Sequence, residues 1–269
     1  MRAPEWIQMG LTVALALLAW TRRLELRRRW RIALLAGIAV AAVVVARFAF
    51  PARVSGVVRD WLPAALLLLP YWQAGQFFRG ANPRIEQRLG RADERVFEWM
   101  RRHGLRAIGF WWSDCLELAY LMCYPVVPLG LGVLYLWRQR EVADFYWVVV
   151  LLASDICFVL TIFVPAMPPR ALVIESPGVA ERGNLRRLNF ALLNRGSIQA
   201  ITFPSAHVAS TVACGLVLLL YVPAAGVAVL ALAAGVAVGA FLGRYHYFLD
   251  VVAGAALALG VFLGCVWFR

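Results

Sequence analysis

The chain has 269 residues, 62% of them hydrophobic and 16% charged, with a net charge of +12. Soluble domains carry about 25% charged residues, so this composition excludes an ordinary soluble globular protein and points to a chain that crosses a membrane several times. All 27 basic residues are arginine and they alternate with apolar runs, which suits anionic lipid head groups and membrane topology and excludes a nucleic-acid partner.

A bilayer-crossing helix needs about 20 predominantly apolar residues. About eight such runs can be marked, at 5–20, 32–50, 61–79, 107–137, 143–165, 206–222, 225–243 and 247–268. The expected fold is all-α, a polytopic membrane helix bundle. In the first run, EWIQMGLTVALALLAW, the basic cluster TRRLELRRRWR follows the apolar stretch instead of preceding it. That order predicts a retained anchor and not a cleaved signal peptide. Residues 1–60 then form an N-terminal transmembrane pair, and 61–269 form the core of what reads as one integrated domain.

Between the third and fourth runs, residues 79–106 place Ile85, Leu89, Val96, Phe97 and Met100 at helical spacing among eight arginines. This is the pattern of an amphipathic helix, either lying in the head-group region or packed on the protein. The fourth run carries Pro125 and Pro128 and is expected to kink or break. Residues 165–207 read as a polar, proline-containing, irregular loop, and loops of that length in compact proteins are usually functional or disordered. The five cysteines, at 115, 123, 157, 214 and 265, sit in apolar runs without a C-x-x-C pair and read as buried thiols. Gly235, Gly239 and Gly243, and again Gly260 and Gly264, fall four apart, the spacing of close helix packing.

Three histidines carry the chemistry. His103 lies in the arginine-rich segment and reads as a surface residue. His207 belongs to FPSAHVAS, where Pro204 and Ser205 mark a helix start with Ser205 as N-cap, and a helix N-terminus favours phosphate-like anions. His246 and Asp250, in GRYHYFLDVVAG, stand one helical turn apart. Charged groups at membrane depth cost roughly 2.5 to 3.5 kcal/mol, so such a pair asks for a function. A carboxylate at this spacing can fix the imidazole tautomer and support a nucleophilic histidine. With the runs above, Arg170, Ser205, His207, Arg244, His246 and Asp250 all gather at one membrane face. That set makes phosphoryl transfer the leading expectation. Asp114, Glu117 and Asp155 also lie within apolar runs, either as partners of arginine or with an acceptor-binding or proton-handling role.

These motifs resemble the type 2 phosphatidic acid phosphatase superfamily, whose signature runs K-x6-R-P, then P-S-G-H, then S-R-x5-H-x3-D. The likeness covers about the last 110 residues, with PSAH as the second motif and HYFLDVVAG as the third. It implies that His246 attacks phosphorus to form a phosphohistidine, that Asp250 orients it, and that His207 protonates the leaving alkoxide. It implies that Arg170 and Ser205 bind phosphate and that neither a metal nor a cofactor is required. The chain departs from the signature: Phe163 stands at the lysine position, Ala171 follows Arg170, and Gly239 and Ala240 replace the serine and arginine of the third motif. Arg244 or Arg195 would then have to substitute for the missing cations.

The P-P-R form of the first motif resembles the branch containing inositol phosphorylceramide synthases. Three readings therefore stand: a lipid phosphatase, a phosphotransferase with a polyol or lipid alcohol acceptor, and a non-enzymatic binder or transporter of lipid phosphates. A metal-dependent enzyme is disfavoured because no third ligand shows recognisable spacing. The expected partners are the bilayer and a lipid phosphate, and the expected location is a bacterial inner membrane. On sidedness the indicators disagree. The site face collects 20 of the 27 arginines, which places it in the cytoplasm by the positive-inside rule, whereas the resemblance implies an extracytoplasmic site.

Overall fold

The computed structural model describes residues 1–104, 113–172, 183–198 and 200–269, and every regular element in them is helical. In chain order these are α1 (Ala3–Thr21), α2 (Leu26–Phe48), α3 (Ala52–Leu66), α4 (Leu68–Gln76), α5 (Pro83–Arg102), α6 (Ser113–Leu121) and α7 (Val126–Leu136). They continue as α8 (Ala143–Thr161), α9 (Pro169–Leu172), α10 (Asn184–Gly196), α11 (Ala206–Tyr221), α12 (Pro223–Leu242) and α13 (Phe248–Trp267).

Among the described residues, four helices are long and apolar enough to cross a membrane: α2, α8 with its preceding turn, α12 and α13. The α6–α7 pair, bent by 68°, makes a fifth if counted as one span. This is fewer than the eight expected from apolar runs, for physical reasons. Helix α11 has 16 residues, about 24 Å at 1.5 Å per residue against a hydrocarbon core of about 30 Å. Helix α1 opens with the polar Glu5 and Gln8. The run at 61–79 is divided at Leu67 into α3 and α4, with Pro63 and Pro70 each withholding a backbone donor. The expected break in the fourth run falls at residues 122–125, ending on Pro125; residues 107–112 of that run lie outside the described segments.

Helix α11 is the hub. It packs against α7, α8, α12 and α13, and Val208, Ala209, Ala213, Cys214, Val217 and Leu218 along it are fully buried. Helix α6 lies against α12 because Gly235 and Gly239 leave room for it. A Cβ at Gly239 would sit 2.6 Å from the Leu116 carbonyl oxygen, and one at Gly235 would sit 3.1 Å from Ala119 Cβ. The expected packing role therefore holds for these two glycines and fails for Gly260 and Gly264, which face open space. Of the cysteines, 123, 157 and 214 are buried, whereas Cys115 is exposed.

Helix α5 starts at Pro83 with Asn82 as N-cap, its side chain accepting from the Arg84 N–H at 3.0 Å. Leu89 and Asp93 are buried, and Val96, Phe97 and Met100 pack toward the core around Tyr245. The apolar face is thus spent on the protein, with arginines 84, 88, 91 and 95 turned outward. The segment 165–207 is less irregular than expected. It holds α9 and the 13-residue α10, which buries Asn189 and Leu193; residues 173–182 and 199 lie outside the described segments. At the opposite end of the bundle, buried Asp60 receives Arg2, Tyr135 and Arg140, and Glu5 pairs with Arg59 at 2.5 Å. These pairs rivet α1, α3 and α7 together, and burying their charges is tolerable only because they are paired.

Candidate active site

Three chain segments meet where α8 ends and α11 and α13 begin. Ser205 caps α11, its hydroxyl accepting from the Val208 N–H at 3.5 Å, while its own N–H donates to the Asp250 carbonyl at 2.9 Å. A Cβ at Gly254 would lie 2.5 Å from the Ser205 carbonyl oxygen, so α13 rests directly on the first turn of α11. The α12–α13 turn is closed by the Ala240 carbonyl, which accepts from the N–H groups of both Tyr245 and His246 at 2.9 Å. Arg244 has φ 61°, a left-handed conformation that reverses the chain there. Its carbonyl accepts from the Arg170 N–H at 2.9 Å, which ties the first motif to the third.

His246 lies one residue before Tyr247, the N-cap of α13, so it is not inside the helix as its spacing to Asp250 suggests. Even so, His246 Nδ1 is 3.1 Å from Asp250 Oδ2, and both side chains are buried. The His207 and His246 rings face each other near-perpendicularly, 5.7 Å between centroids. Both border a cavity of about 620 Å³ that also takes in Arg170, Tyr71, Tyr124 and Phe158. The structure therefore brings His207, His246, Asp250, Ser205 and Arg170 together.

It does not bring in Arg244 or Arg195 as substitutes. The Arg244 guanidinium lies 4.0 Å from the centre of the Phe97 ring and 3.6 Å from Asp93, both on α5. Arg195 is exposed on α10, and neither borders the cavity. At the family's lysine position, Phe163 is exposed and lies under the Arg22 guanidinium at 5.9 Å. At the serine position, Gly239 has no room for a side chain against Leu116.

Several neighbours were not legible as site residues. Buried Glu117 accepts from Arg186 at 2.9 Å, from Asn189 at 2.7 Å and from the Tyr245 hydroxyl at 2.6 Å. Tyr245 stacks on Tyr120 at 4.0 Å, and the rings of Tyr120 and Tyr124 meet His207 at 5.6 and 5.3 Å. An acid in an apolar run was the visible signal; its partners lie about 70 and 130 residues further along the chain. Asp93 accepts from the Phe248 N–H at 2.8 Å, at the start of α13, and burial pushes its carboxyl up to about 6, against the pull of that hydrogen bond and of Arg244. Asp155 is buried on α8 with neither oxygen partnered among the described residues, so the arginine pairing that accounts for Glu117 does not extend to it. Among the described residues, no three His, Cys, Asp or Glu side chains come close enough to hold a metal ion.

No curated protein and no solved structure matches the chain. The family model described as the PAP2 superfamily matches residues 83–264. That span begins at the first residue of α5, contains Arg170, Ser205, His207, His246 and Asp250 and covers more than half of the chain. By this match the chain, with its paired histidines on α11 and the α12–α13 turn, belongs to the PAP2 superfamily.

Proposed function

We propose that the protein is an integral-membrane lipid phosphatase working through a phosphohistidine. The supporting observation is the opposition of His207 and His246 at 5.7 Å, with Asp250 behind one of them and Arg170 beside both. An ionised Asp250 can only accept a hydrogen bond, so His246 presents Nδ1–H to it and keeps the Nε2 lone pair for attack on phosphorus. The ester P–O bond breaks, the departing lipid alkoxide takes a proton from His207, and the phosphoryl group stays on His246. Water then attacks phosphorus, giving a proton to His207 as the P–Nε2 bond to His246 breaks, and inorganic phosphate leaves. Arg170 and the first turn of α11 offset the charge that develops on the phosphoryl oxygens.

The same phosphohistidine could be resolved by a lipid alcohol or a polyol. The cavity favours keeping that second reading, since its 620 Å³ extends well past the histidines and is largely apolar. The displacement of Arg195 and Arg244 favours a third, a binder of lipid phosphates without turnover. We further place the site on the extracytoplasmic face of a bacterial inner membrane, with α1, α3–α4 and α11 completing the bundle beside the longer spans.

The deciding experiment presents purified protein with a panel of lipid phosphates and phospholipids, following inorganic phosphate and new lipid products together, with His246→Ala alongside. Phosphate release lost in the variant is the expected result. A new phospholipid without phosphate release selects the transferase, and specific binding with neither product selects the binder.

A further inference from the structure

Glu117 touches neither histidine, yet it is the most elaborately satisfied carboxylate near them. It is 5% exposed, and an ion so buried costs several kcal/mol unless its lone pairs are matched. Its oxygens receive Arg186 and Asn189 from α10 and the Tyr245 hydroxyl from the α12–α13 turn, while Glu117 itself belongs to α6. Three separate segments are therefore registered on one side chain.

From these contacts we infer that Glu117 is a positioning residue for the His207–His246 pair, acting through Tyr245 and Tyr120. Tyr245 directly precedes His246, and the two share the Ala240 carbonyl as backbone acceptor, so fixing the Tyr245 ring fixes the turn that carries His246. The Tyr245 ring lies parallel to that of Tyr120, 4.0 Å apart with 7° between planes. Tyr120 in turn sets its ring at 82° to His207. One carboxylate thus references both imidazoles. Gly239 permits the arrangement, because only a residue without a side chain admits the Leu116 backbone at that distance. Where the family signature has a serine and an arginine, this chain has two small residues and a helix laid against them that brings Glu117 and Tyr120 to the site.

The inference rests on the proposed function for its catalytic meaning, and the test separates the two. The chain has only three histidines, so protein labelled with ¹³C and ¹⁵N in histidine alone gives three imidazole signals. Tyr245→Phe keeps the ring stack and removes only the hydroxyl; Glu117→Gln keeps the shape and removes the charge. In both variants the His207 and His246 signals are expected to shift or broaden while His103 stays in place. With an active lipid phosphate, kcat is expected to fall about 10- to 100-fold with KM within about threefold, since small misplacements of reacting groups cost rates of that order. Should Glu117→Gln fail to fold, Tyr245→Phe alone decides. Unchanged His207 and His246 signals in folded Tyr245→Phe overturn the inference, as does an unchanged kcat. A wild-type protein that turns over no lipid sinks the proposed function instead, and the histidine signals still decide the positioning.

Discussion

His207 meets His246 ring to ring at 5.7 Å and Asp250 meets it at Nδ1, and the two are expected to fail differently. Removing a general acid–base group typically costs 10²- to 10⁴-fold, so His207→Ala should lose about that much turnover with an unchanged circular dichroism spectrum. Asp250→Asn keeps a hydrogen-bonding group beside His246 Nδ1 and should retain more activity than His246→Ala; equal loss in the two would remove the orienting role. Gly239 offers a separate residue-scale test. Restoring the serine of the family signature there places a Cβ 2.6 Å from the Leu116 carbonyl oxygen, and overpacking of this kind typically costs about 1 to 3 kcal/mol. Gly239→Ser is expected to lower the melting temperature without gaining activity, and a stabilised variant would contradict the close approach of α6 to α12.

At the scale of elements, α5 is joined to the site by a buried carboxyl as well as by the packing of Phe97. Asp93 accepts from the Phe248 N–H and faces Arg244, so it links a surface helix to the turn that carries His246. Its carboxyl is raised to about 6 by burial, above the usual value near 3.9. A raised folded-state pKa means that the stabilising contribution is complete below pH 4 and is lost as pH rises through about 6. Thermal melts between pH 4 and 8 should show that fall in the wild type and less of it in Asp93→Asn, whose amide oxygen can still accept from Phe248. An identical pH dependence in both proteins would assign the effect elsewhere. Much of α5 could be read from its apolar spacing. That its apolar face is used up against the protein could not, because periodicity reports that a face is apolar and not what covers it.

Over the whole molecule, the arginines that argue for a cytoplasmic site are partly engaged in structure. Arg28 donates to the carbonyls of Gln76 and Phe78 at 3.1 and 2.6 Å, Arg186 pairs with Glu117 at 2.9 Å, and Arg244 is held by α5. A charge count that treats them as loop cations therefore overstates the cytoplasmic bias. The proposed extracytoplasmic site, at the start of α13, would put the far end of that helix in the cytoplasm. A fluorescent protein fused after Arg269 is then expected to fluoresce, and an alkaline phosphatase fused there is expected to be inactive; the reverse pair would turn the protein over.

Sequence alone determined the membrane class, the all-helical fold, the capping of α11 by Ser205 and the pairing of His246 with Asp250. Each of these depends on composition or on residues within a few positions of one another, where the chain is too short to carry the partners apart; this holds even for His246, which stands just ahead of α13. Only the tertiary structure decided that Arg244 and Arg195 leave the cavity, that Gly239 admits α6, and that Glu117 meets Tyr245 across 128 residues of chain. Those outcomes are set by which helix faces pack together, and packing between distant segments depends on the whole volume being filled at once, which no local pattern encodes.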